Sequence, residues 1–149
     1  MTWFRVDNRL VHGQVIEAWL PYTNARRIIV VNDGLKDDPN QQLVISLAVP
    51  EKVELLFLGV AEFARIWEKF RKDTLVLFAN CLDAYLAFEE GVRFDTLNVA
   101  NLHYSPGKKQ LCVHIALDEN EEHFLTYLKE HNVKLDFRCV PGEVIALSW

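Results

Sequence analysis

Short apolar runs recur along the chain at Trp3–Val6, Ile28–Val31, Val53–Leu58, Leu75–Phe78 and Thr96–Val99. Each has the length and composition of a buried strand. Between them the apolar residues change period. Val60, Phe63, Ala64, Trp67 and Phe70 are spaced three and four apart, as on one face of a helix, and Val15, Ile16, Trp19 and Leu20 follow the first run in the same way. Two helix starts carry capping chemistry. Asp38-Pro39-Asn40-Gln41 offers a capping carboxylate and a proline at the first helical position, and Asp118-Glu119-Asn120-Glu121 repeats the logic ahead of Phe124, Leu125 and Leu128. Leu111 to Ile115 reads as strand-like, and Lys134 to Ser148 as extended with a turn at Pro141-Gly142. Strands alternating with helices predict an α/β fold: a single open, twisted, mainly parallel sheet with helices on both faces. No repeat, low-complexity stretch or Gly/Ser linker interrupts the pattern, so residues 1–149 read as one domain.

In such sheets the working groups lie on loops at the carboxyl ends of the strands. That rule selects Asp7–Gly13, Asn32–Asp38, Ala79–Asp83 and Ala100–Gly107. The first is the richest. It runs from the end of a strand to the start of a helix and carries His12, with Arg5 and Arg9 before it and Gly13 and Gln14 after it.

Composition narrows the chemistry. The net charge of −5 argues against a nucleic-acid binder, which would show a basic face. No apolar run has the length of a membrane helix, and the N-terminus does not read as a secretory leader. Three cysteines, Cys81, Cys112 and Cys139, lack C-x-x-C spacing and read as small hydrophobes in a reducing cytosol. The histidines show no metal spacing, and neither a Walker loop nor G-x-G-x-x-G is present, so no metal or cofactor is expected.

Free N–H groups and a partial positive charge make a helix N-terminus an anion site. A neutral imidazole there can attack phosphorus and carry the group covalently. Arg5 and Arg9 would supply planar donors, and the N–H groups around Gly13 and Gln14 would supply the rest. Asn80 and His103 lie on the same predicted edge, with Asp7 and Asn8 as further rim residues. The residues alone leave a second reading open, in which His12 merely caps or packs and the polar strand-end residues Asp7, Asn32, Asp33 and Asn80 are turn and cap residues.

The run RVDNRLVHGQVIEAW resembles the signature of the enzyme IIB subunit of the sugar phosphotransferase system, mannose/fructose/sorbose class. The similarity continues through Arg27–Asp33, Leu47–Pro50, Leu77–Asn80, Leu97–Val99, the Leu102-His103-Tyr104 to Lys108 loop and Pro141-Gly142. The resemblance implies an open sheet of about seven strands. It also implies that His12 is phosphorylated on Nδ1 by a phosphohistidine of a IIA partner and passes the group to a sugar held by the membrane subunits IIC and IID. Arg5 and Arg9 match the arginines flanking the site, and Asn80 matches the loop closing the phosphate pocket. The protein would be cytoplasmic, peripherally associated with the inner face of the membrane through IIC and IID.

The sequence departs from the family at Asn8, where a second aspartate is common, and at Ala100-Asn101, where glycine is usual. Neither removes the nucleophile. With no IIA portion in the sequence, phosphate is expected from a separate polypeptide. Arg9, Arg26, Arg27, Lys108 and Lys109 are candidates for a basic docking rim. A regulatory relay without transport and an anion-binding module that is never phosphorylated stand as alternatives, and a homo-oligomer is left open.

Overall fold

The computed structural model describes residues 1–145, 147 and 149. Six strands form one wholly parallel sheet: β1 (Thr2–Asp7), β2 (Arg27–Val31), β3 (Glu54–Leu58), β4 (Thr74–Phe78), β5 (Thr96–Ala100) and, late in the chain, β8 (Lys134–Asp136). Their order across the sheet is β3-β2-β4-β1-β5-β8. Lys109–Cys112 (β6) and Ile115–Leu117 (β7) make a separate antiparallel ribbon. The expected seven-stranded sheet is therefore corrected to six strands plus this ribbon. The strand-like run from Leu111 to Ile115 is a hairpin whose turn is Val113-His114. The extended reading of Lys134 to Ser148 holds only over β8. A loop with the expected turn at Pro141-Gly142 follows, and residues 146 and 148 lie outside the described residues.

The helices cover both faces, as the alternation of elements predicted. Phe4, Val6, Ile29, Val31, Val76 and Phe78 point to one face, where α4 (Val60–Ile66), α5 (Cys81–Glu89) and α6 (Glu119–Glu130) bury Phe63, Ala84 and Leu125. The alternate residues Ile28, Val30, Leu75 and Leu77 face the other way, against Val15, Trp19 and Leu20. Those last three belong to a helical segment in which a π-helical turn, Val15–Trp19, runs into α1 (Leu20–Thr23). The helix from Val60 ends early, and Trp67–Phe70 forms a 3-10 turn. α2 (Asp33–Lys36) and α3 (Pro39–Ser46) complete the chain between β2 and β3. Among the described residues no helix is long and apolar enough to cross a membrane.

β1 and β4 are neighbours, yet the helices that follow them lie on opposite faces. In open α/β sheets such a reversal marks the carboxyl ends of the two strands as the place where ligands bind. The pairings Val6↔Phe78 and Asp7↔Ala100 bring the loops after β1, β4 and β5 to that one edge. Arg26 and Arg27 lie at the opposite edge, at the start of β2, with Arg27 bonded to Glu54 and Thr74. They cannot share a rim with His12.

Candidate functional site

β1 ends in Asp7, which is wholly buried, and the chain then turns through Asn8 and Arg9, closed by a bond from the Leu10 N–H to the Asp7 carbonyl at 3.0 Å. Leu10 takes a left-handed backbone, φ 54, while its side chain is buried with Val15 and Trp19. A leucine in that region is strained, and the buried side chain offsets the strain. Helical conformation begins at Gly13, and the His12 carbonyl accepts from the Ile16 N–H at 3.1 Å. The N–H groups of Gly13 and Gln14 thus fall within the first turn, before any intrahelical partner exists. A methyl group at Gly13 would stand in open space.

His12 is held at both ring nitrogens. Nε2 lies 2.6 Å from Asp7 Oδ2, and the Arg9 guanidinium contacts Nδ1. A guanidinium only donates, so Nδ1 must accept and is the bare nitrogen. The ring hydrogen is then on Nε2, donated to Asp7. This is the tautomer of an imidazole ready to use Nδ1 as a nucleophile. The His12 side chain is 13% exposed, and the Arg9 that covers Nδ1 lies at the surface.

Arg5 is placed elsewhere than expected. It is 1% exposed and donates to Asp7 Oδ2 at 2.9 Å, to Asn98 Oδ1 and to the Cys139 carbonyl at 3.3 Å, with its guanidinium 5.0 Å from the Trp19 ring. It reaches His12 only through Asp7. Burial lowers the Arg5 guanidinium from its ordinary value, against the pull of Asp7. Burial by itself would raise the Asp7 carboxyl. The hydrogen bond from His12, the Arg5 charge and the Asn101 amide outweigh it and hold Asp7 below the usual carboxylate range.

The remaining candidates sort by what their side chains touch. Gln14 turns inward, its Oε1 accepting from Asn101 Nδ2 at 3.1 Å and from the Cys139 thiol at 3.3 Å. Asn80 caps α5, its Oδ1 accepting the Asp83 N–H at 2.8 Å. Asn32 caps α2, and the Asp33 carboxylate accepts the N–H of Val60 at the start of α4. Asn8 joins three loops: its Nδ2 donates to the Ala79 carbonyl at 2.9 Å, its Oδ1 accepts the His103 N–H at 3.1 Å, and its N–H meets the Asn101 carbonyl. An aspartate has no hydrogen to give Ala79, which accounts for the amide at this position. His103 thereby has its backbone fixed beside the site while its side chain is exposed. Lys108 is paired with Glu121 at 3.0 Å, away from the rim role considered for it.

Sequence reasoning missed Asn98 and Cys139 as members of this cluster, and it marked Asn101 only as a departure from the family's glycine. Asn98 carried the one available signal, a polar residue inside an apolar parallel strand, which must be satisfied by a buried partner. That partner is Arg5.

A family model described as the PTS system sorbose subfamily IIB component matches residues 1–146. The sorbose-specific EIIB component of Klebsiella pneumoniae is 31% identical over 146 residues, spanning 96% of this chain and 89% of that protein. The mannose-specific EIIAB component of Escherichia coli (strain K12) is 30% identical over 139 residues, which cover 91% of this chain and 43% of that longer protein. The crystal structure of the N-acetylgalactosamine-specific IIB component 1 from Escherichia coli superposes with a TM-score of 0.90 at 26% identity, covering 97% of each chain. A match over nearly the whole sequence, on the same sheet architecture, establishes that the chain belongs to the sorbose subfamily of IIB components of the phosphotransferase system.

Proposed function

We propose that His12 is the phosphoryl carrier of this IIB component, using Nδ1, and that residues 1–149 act as one such unit. The observation that carries the reading is the 2.6 Å bond between His12 Nε2 and Asp7, which leaves Nδ1 as the bare nitrogen. In the first half-reaction the Nδ1 lone pair attacks the phosphorus of a phosphohistidine on a IIA partner. The donor's P–N bond breaks, and its electron pair returns to the donor imidazole. Positive charge that grows on the His12 ring is met by Asp7 through Nε2–H. Arg9 is exposed and would swing from Nδ1 onto the equatorial oxygens, and the first-turn N–H groups of Gly13 and Gln14 would donate to them as well. Arg5 acts behind Asp7 and does not touch the phosphate.

In the second half-reaction a sugar hydroxyl oxygen attacks the phosphorus, the P–Nδ1 bond breaks and its electron pair returns to His12. The hydroxyl proton is lost to a base on the sugar's side. The sugar would be held by membrane subunits IIC and IID, with the IIB unit working from the cytoplasmic face. The fused EIIAB architecture of the mannose-specific relative favours IIA as the donor. Incubation with phosphorylated IIA at neutral or alkaline pH, followed by peptide mapping, tests the proposal. A mass gain of one phosphoryl group on His12 is expected. No adduct with a competent donor would leave the anion-binding reading in its place.

A further inference from the structure

Asp7 receives four donors. Its Oδ1 takes the Arg9 N–H at 2.8 Å, and its Oδ2 takes Arg5 Nη2 at 2.9 Å, His12 Nε2 at 2.6 Å and Asn101 Nδ2 at 2.9 Å. Three of these come from β1 and the loop after it. The fourth comes from another loop, at the end of β5. Asn101 is 5% exposed and holds a left-handed backbone, φ 50, which asparagine tolerates better than most residues. Its second amide hydrogen goes to Gln14 Oε1 at 3.1 Å. One amide therefore ties the carboxylate that precedes His12 to the helical turn that follows it. The amide's orientation is set by Asp7, whose ionised carboxylate can only accept, so the nitrogen and not the oxygen of Asn101 faces it.

We propose that Asn101 is a positioning residue for phosphoryl transfer: by donating to Asp7 and Gln14 it keeps the His12 ring proton on Nε2 and the bare Nδ1 turned to the pocket. The Arg5 charge and the Asn101 amide both stabilise negative charge on Oδ2, which favours Asp7 as the anion and keeps the hydrogen it shares with His12 on the ring. Without the Asn101 donor, Asp7 keeps Arg5 and the Arg9 N–H but loses its tie to Gln14, so the acceptor facing His12 Nε2 is less firmly fixed and the second neutral tautomer gains population. Glycine would take the same φ without strain but has no donor to offer, so the backbone and the amide roles are separable. The consequence for transfer rests on the proposed role of His12, whereas the tautomer does not.

The test uses the full chain, 15N-labelled and unphosphorylated, comparing the His12 imidazole signals of wild type and Asn101→Gly by NMR. Wild type is expected to show a single tautomer with hydrogen on Nε2. Asn101→Gly is expected to show a mixture, and to accept phosphate from phosphorylated IIA about tenfold more slowly. A merely structural asparagine would not move the tautomer, because glycine relieves the backbone. Retention of the single Nε2–H tautomer in Asn101→Gly overturns the proposal. Should that variant fail to fold, the wild-type Asn101 amide hydrogens decide the matter: slow solvent exchange supports the bond to Asp7, and free exchange overturns it. A shifted tautomer in the variant, with no adduct on wild-type His12, overturns the catalytic half and the carrier reading together.

Discussion

At the scale of single residues the site is an arginine–aspartate–histidine line in which each member has one task. His12→Ala is expected to abolish phosphoryl acceptance and leave the fold intact, since the side chain is at a loop edge; mass spectrometry and circular dichroism check both halves. Arg9→Ala is expected to slow transfer while leaving some acceptance, because in the proposed transfer the guanidinium would stabilise charge without forming a bond; wild-type rates would remove it from the site. Arg5→Met has a different signature. It strands the buried Asp7 charge, so a loss of about 3–5 kcal/mol in urea unfolding is expected. The pH dependence follows from Asp7, whose folded value is depressed below that of the unfolded chain. Its stabilisation is complete above the ordinary carboxylate range, at about pH 4 and higher, and is lost as pH falls through the folded value. The stability gap between wild type and Asp7→Asn should therefore shrink on acidification from pH 7 toward pH 3.

At the scale of elements, most of the fold is legible in the sequence, because central parallel strands must be apolar on both faces. β1 to β5 fall on the five apolar runs within a residue or two. The capping box at Asp118 and Glu121 also forms as read, with bonds of 2.7 and 3.1 Å. β6 and β8 are short, half-polar and partly exposed, and β7 is only three residues long though apolar and buried, so their periodicity is too brief to register. The site divides in the same way. His12, Arg9 and Asp7 are contiguous and readable, whereas Asn98, Asn101 and Cys139 join only through strand pairing. Arg5 was open to a better reading, since a side chain in the middle of a central strand has no route to solvent. Asn8 links three loops, so Asn8→Asp is expected to cost about 1 kcal/mol by removing the donor to Ala79, measurable by thermal unfolding.

At the scale of the whole molecule the two edges of the sheet differ in character. The carboxyl edge carries the histidine loop, while Arg26, Arg27, Lys69, Arg71 and Lys72 collect at the amino edge among Glu54, Glu68 and Asp73. Charge reversal at Arg26 should then leave the rate of phosphoryl acceptance within about twofold of wild type, with little change in its salt dependence. Distance along the chain matters as much as distance in space. The Cys139 carbonyl accepts from Arg5 at 3.3 Å and from Trp19 at 2.7 Å, partners 134 and 120 positions earlier. A ribosome releases residues in order, so the histidine emerges well before Cys139, which completes its setting. A prematurely terminated chain would display the imidazole without the anchored arginine and carboxylate behind it. Under the proposed role of His12, an incomplete polypeptide is thus expected to accept phosphate poorly.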